Sequence, residues 1–153
     1  MLKQKKGFTF LELAIVISII AILFVVAFPN YRVSRDSTKT YSQAKEVETD
    51  LRQMRQLAIS QRKDVKIDFV STVALYIDRY DVSFVDSDQR DIKNVNILPG
   101  VNIEVTPTAF RFNRDGALRD EDGFILTKAS IRIFLGGDQV AFEIKEDGLI
   151  EEI

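Results

Sequence analysis

Hydrophobic and polar positions divide the chain into three regimes. From Leu13 to Phe28 every residue is apolar except Ser18, and extending back to Phe8 adds only Thr9 and Glu12 as polar members. A bilayer-spanning helix needs about 20 such residues, so this run is long enough to be one. Beyond Pro29-Asn30, Val33, Tyr41, Ala44, Val47, Leu51, Met54 and Leu57-Ala58 recur mostly at three- and four-residue steps. That spacing is one apolar stripe on a 3.6-residue period. Lys45, Glu46, Glu48, Arg52, Gln53, Arg55 and Gln56 lie off the stripe and form the expected wet face. No glycine-rich linker separates the two regimes, so the pattern predicts one helix from about Thr9 to about Gln61, bent at Pro29.

From Val65 the period changes to two. Strands are predicted at 65–70, 73–78, 81–86, 101–105, 109–113, 124–128, 130–135 and 139–145. Pro99-Gly100, Asp115-Gly116, Asp122-Gly123, Gly136-Gly137-Asp138 and Asp147-Gly148 punctuate them as turns. Short strands with local turns favour antiparallel pairing. The predicted class is α+β: a long N-terminal helix, transmembrane in its first half and amphipathic in its second, packed on an antiparallel β-sheet domain. The expected organisation is a leader at 1–7, a membrane or filament-core helix at 8–29, its amphipathic continuation at 30–63, and a β-rich domain at 64–153.

Composition removes most chemistry. The chain has 153 residues with no cysteine and no histidine, which eliminates disulfides, thiolates and the commonest general base and metal ligand. Nothing singles out a carboxylate, Ser-Lys or tyrosine pair, so no catalytic residue and no cofactor is expected. The formal charge is −2, and loss of Lys3, Lys5 and Lys6 with the leader takes it to −5. That balance, and the acidic end KEDGLIEEI, argue against nucleic acid as a partner. Asn113, Asp115, Asp120, Glu121 and Asp122 crowd oxygen ligands that would suit calcium. The run lacks EF-hand spacing, and two polar hairpin turns are the simpler account.

The basic start MLKQKKG and the apolar run fit a cleaved secretion signal, a plain membrane anchor, or a third reading. The run is too long for an ordinary signal core, and an anchor leaves Glu12 without a purpose. Gly7-Phe8-Thr9-Phe10-Leu11-Glu12-Leu13, after a lysine-rich leader and before a run ending at Pro29, resembles the class III signal of type IV pilins and type II secretion pseudopilins. The resemblance implies cleavage by a prepilin peptidase after Gly7 and N-methylation of Phe8. It also implies a register-setting role for Glu12, which would neutralise the amine of a neighbouring subunit, and a helix-distorting role for Pro29. An unpaired charge in a low-dielectric core is heavily penalised, whereas a carboxylate–ammonium pair recovers much of that cost.

Further along, LRQMRQLAISQRKDVKIDF, ILPGVNIEV, FRFNRDG and GGDQVAFEIKEDGLIEEI resemble the GspH/FimT group of minor pilins and pseudopilins. The implied partners are the prepilin peptidase/N-methyltransferase, other pilin or pseudopilin subunits, the inner-membrane assembly platform, and membrane lipid before assembly. The implied location is a single pass of the cytoplasmic membrane with the C-terminal domain outside, followed by a pilus or pseudopilus. Some members of the group bind DNA through basic C-terminal residues, whereas this terminus is net acidic. The competing reading is a membrane-tethered binding domain that does not polymerise.

Overall fold

The computed structural model describes residues 9–71, 77–85 and 91–153, and at 26–30, 32–33 and 91 the backbone alone. Helix α1 spans Phe10–Gln61. Among the described residues nine strands follow: β1 Val65–Val70, β2 Arg79–Phe84, β3 Asp91–Asn96, β4 Asn102–Thr106, β5 Ala109–Phe112, β6 Leu118–Arg119, β7 Lys128–Leu135, β8 Asp138–Lys145 and β9 Ile150–Glu152. The chain divides into two compact units, Met1–Arg35 and Asp36–Ile153.

In the second unit the strands form two antiparallel sheets, ordered β3-β2-β1-β5-β6 and β4-β7-β8-β9. Alternation dictates their faces. Val65, Ile67 and Phe69 of β1 point inward, as do Ala129, Ile131 and Ile133 of β7, while the residues between them face outward. Phe110, Phe112, Leu118, Phe142 and Ile144 complete a fully buried centre, with Phe110 and Phe112 edge-to-face at 6.0 Å. The helix closes this core with Ala44, Val47, Leu51, Met54 and Ala58, all buried. The α+β architecture, a helix packed on antiparallel sheets, is therefore the one the periodicity predicts.

Several expectations need correction. Tyr41 is 62% exposed. Residues advance about 100° each around a helix, and the buried line passes through Thr40 and Gln43 instead. Arg55 does not lie on the wet face but is half-buried against the β-domain. The strand expected at 73–78 falls partly outside the described residues, and Ile77 and Asp78 precede β2. Register with β1 sets that start, because Val70 pairs with Arg79. The strand expected at 124–128 is not formed; only Ile125 makes a bridge, to Arg119. Strands β3, β6 and β9 went unpredicted, since DIKNVN, LR and IEE are too polar or too short to alternate visibly. The five turn signals fall between strands as expected, except that Asp138 already opens β8. The bend expected at Pro29 lies outside the described side chains.

Candidate functional site

The sequence directs attention first to the N-terminal unit. Gly7 and Phe8 lie outside the described residues, as does the Pro29 side chain. Glu12 is described, and it has a partner on its own chain. Its Oε2 accepts from the Thr9 N–H at 3.0 Å and the Thr9 hydroxyl at 3.1 Å, while the Glu12 N–H donates to Thr9 Oγ1 at 3.2 Å. Two donors of the first helical turn are thereby satisfied reciprocally, which is a capping box. The Thr-x-x-Glu spacing before an apolar run carries this in the sequence, and the reading above did not use it.

Every large apolar side chain described between Phe10 and Val25 is exposed, with Phe10 at 88%. Such a surface is stable only when lipid or protein covers it. Among the described residues no helix is long and apolar enough to cross a membrane. The described side chains of the run end at Val25, and the remainder of Phe8–Phe28 lies beyond them.

The second unit holds a polar cluster that the sequence reading missed. Asp50, only 4% exposed, sits on α1 between the buried Val47 and Leu51. Tyr80 of β2 donates its hydroxyl to Asp50 Oδ2 at 2.5 Å, and Lys93 of β3 donates to both carboxylate oxygens at 2.7 Å. Burial, the Asp50 hydrogen bond and the Asp50 and Glu46 charges together push the Tyr80 phenol far above its ordinary pKa. About two and three turns earlier on the same side, Gln43 Oε1 accepts from Leu98 N–H at 2.8 Å, and Lys39 reaches Pro99 O at 3.5 Å. Further along, Arg55 donates to Gly116 O and Asp147 O, each at 3.0 Å. Polar contacts thus flank the apolar stripe of α1 on both sides, Gln43 and Asp50 on one and Arg55 on the other. An acid directly flanked by stripe positions was the available signal.

The oxygen-rich run 113–122 forms two turns. Asn113 Oδ1 accepts from the Asp115 and Ala117 N–H groups, and Asp120 Oδ1 accepts from those of Gly123 and Phe124. Glu121 pairs with Lys66 at 2.6 Å. Among the described residues no group of three acidic side chains is arranged to hold a metal.

Residues 2–28 match the model of the prokaryotic N-terminal methylation motif, and residues 43–148 match that of type II transport protein GspH. The chain belongs to the GspH family. Its GspH domain covers the amphipathic helix from Gln43 onward and the β-domain as far as Gly148, so the apolar stripe and the Gln43, Asp50 and Arg55 contacts lie within it. The fold is similar to that of the type IV minor pilin FimU of Pseudomonas aeruginosa, with a TM-score of 0.60 at 16% identity over 74% of this chain and 87% of FimU. It is also similar to the minor pseudopilin EpsH of the Vibrio cholerae type 2 secretion system, with a TM-score of 0.56 at 13% identity over 77% of this chain and 96% of EpsH. Among curated proteins none matches the chain. The GspH domain and methylation motif together make this a minor pilin or pseudopilin, a structural family whose members carry an N-terminal signal and interact with other pilin-type subunits.

Proposed function

We propose that this GspH protein is made as a precursor, cut after Gly7 by a prepilin peptidase and methylated on the new Phe8 amine. Phe8–Phe28 holds it in the cytoplasmic membrane with the GspH domain outside, until the assembly platform moves it into a type IV pilus or type II secretion pseudopilus. It acts there as a structural subunit, not as an enzyme. The observation that carries the reading is the apolar helix of exposed Phe10, Leu11, Leu13, Ile15 and Ile17 whose single acid, Glu12, stands in its first turn. Lipid can cover the apolar side chains but does not supply a cation at that depth, whereas the amine of a neighbouring helix does. In the precursor the capping box lowers the cost of leaving that carboxylate unpaired.

Mass spectrometry of the mature protein tests this. A chain beginning at methyl-Phe8 is the expected result. An intact Met1, or a chain beginning at Phe28, would leave a tethered binding domain or a released one instead.

A further inference from the structure

Past its apolar run, α1 presents an aromatic side chain and a cation on one face. Tyr31 is 68% exposed, and Arg35, one turn further along, is exposed as well. Among the described residues Arg35 has no acidic partner. The positions three and four residues from it hold Tyr31, Arg32, Thr38 and Lys39, two cations and no acid. The helix itself therefore repels the guanidinium instead of answering it. Between residues 31 and 39 three cations stand against Asp36 alone, whereas acids outnumber cations over residues 40–153.

Depth accounts for this local excess. Helical rise places Tyr31 roughly 32 Å along the axis from Phe10, which matches the ~30 Å hydrocarbon thickness of a bilayer. Arg35 follows about 6 Å later, at the level of the headgroups. Tyrosine is favoured at such a boundary. Cations on the outer flank run against the charge bias of membrane insertion, so an unanswered arginine there calls for an anion at the same depth.

We propose that Tyr31 and Arg35 form a headgroup site for an anionic phospholipid, of the phosphatidylglycerol kind, in the outer leaflet of the membrane. The guanidinium forks onto the phosphate, and the tyrosine ring lies along the glycerol and upper acyl region. The site rests on the membrane reading above. It adds a reason for Glu12 to wait at a set height before assembly, because a helix held at Arg35 keeps that carboxylate roughly 35 Å deeper.

The chain has no tryptophan, so a reporter can be placed away from the site. Phe24, 67% exposed, stands on the same face about two turns before Tyr31 and three before Arg35. The full-length chain carrying Phe24→Trp is reconstituted into vesicles of phosphatidylethanolamine with a minor share of phosphatidylglycerol. In one set the phosphatidylglycerol has brominated acyl chains; in the other an equal amount of the phosphatidylethanolamine has them. Tryptophan quenching about twofold stronger from brominated phosphatidylglycerol is expected. Arg35→Gln should bring the two sets to parity, and Arg35→Lys should keep most of the difference. Lys3→Gln, Lys5→Gln and Lys6→Gln together, at the opposite flank, should leave it intact.

Parity in the parent overturns the site, as does a preference that survives Arg35→Gln or depends on the leader lysines. Parity in vesicles, with Arg35→Gln failing to enter filaments, would give the guanidinium to an acid of a neighbouring subunit instead. Parity in a chain that is cut after Gly7 and resists alkaline extraction from membranes removes the lipid site and leaves the membrane reading standing. A chain that alkali extracts from membranes removes both.

Discussion

Lys93 on β3 reaches Asp50 on α1, its ammonium nitrogen 2.7 Å from each carboxylate oxygen. Asp50 is 4% exposed, whereas the Lys93 side chain is 40% exposed. Removing the lysine strands a buried carboxylate with Tyr80 as its remaining hydrogen-bond donor. Lys93→Met should therefore lower stability by about 2 kcal/mol, less than for a fully buried pair because water still reaches the lysine site. Lys93→Met/Asp50→Asn should recover part of the loss, because the amide needs no counterion. A urea midpoint for the single variant equal to that of the parent would contradict this account.

The same cluster predicts an alkaline transition. The Tyr80 phenol is held protonated, its pKa raised first by burial and then by Asp50. A group whose folded pKa lies above its unfolded value contributes stability that is fully present below the unfolded value, about 10 for tyrosine, and is lost as pH rises toward the folded one. Stability should decline above about pH 10. Tyr80→Phe should flatten that decline while costing about 1 kcal/mol at neutral pH for the lost hydrogen bond. Thermal melts across the alkaline range compare the two slopes.

Two turn glycines with similar backbones should respond differently to substitution. Gly136 has φ +64° and open space around its Cα, whereas a Cβ at Gly148, φ +78°, would overlap Gly116 O and lie 2.7 Å from Arg55 Nε. Gly136→Ala should cost about 1 kcal/mol from backbone strain alone. Gly148→Ala should cost clearly more, because it also dislodges Arg55 from Gly116 O and Asp147 O. Equal melting temperatures for the two variants would refute the assigned role of Arg55.

Glu12 separates capping from charge. Glutamine at this position still completes the box with Thr9 but carries no charge. If the carboxylate sets register between subunits, Glu12→Gln and Glu12→Ala should both be cut after Gly7 and both fail to enter filaments. Normal incorporation of the glutamine variant would assign the residue to capping alone.

The extent of α1, the five turns and the strands β1, β7 and β8 were legible because each depends on a local repeat. Ala44, Val47, Leu51, Met54 and Ala58 could be placed from spacing alone, as burial of an apolar stripe needs no knowledge of the partner. The polar contacts could not. Asp50, Gln43 and Arg55 look like ordinary solvated residues until strands distant in sequence supply Lys93, Leu98 N–H and Gly116 O. Tyr41 misled for the converse reason: its type fits a core, but its angle does not. Strand β9 depends on pairing with β8, Ile150 against Ile144, more than on its own alternation. At the N-terminus the leader motif was readable, and the Thr9–Glu12 box was readable but overlooked.

An apolar stripe with polar contacts on both flanks has a mechanical consequence. An apolar ridge can creep along an apolar groove with little loss at each step, as one methyl contact replaces another. Gln43, Asp50 and Arg55 do not permit creep, because a shift of one residue, about 1.5 Å along the axis, would leave a buried carboxylate and several backbone groups without partners. The sheets are thus keyed to α1 at fixed notches. A pull along that helix moves the whole GspH domain in step or breaks the key outright, with no intermediate slippage.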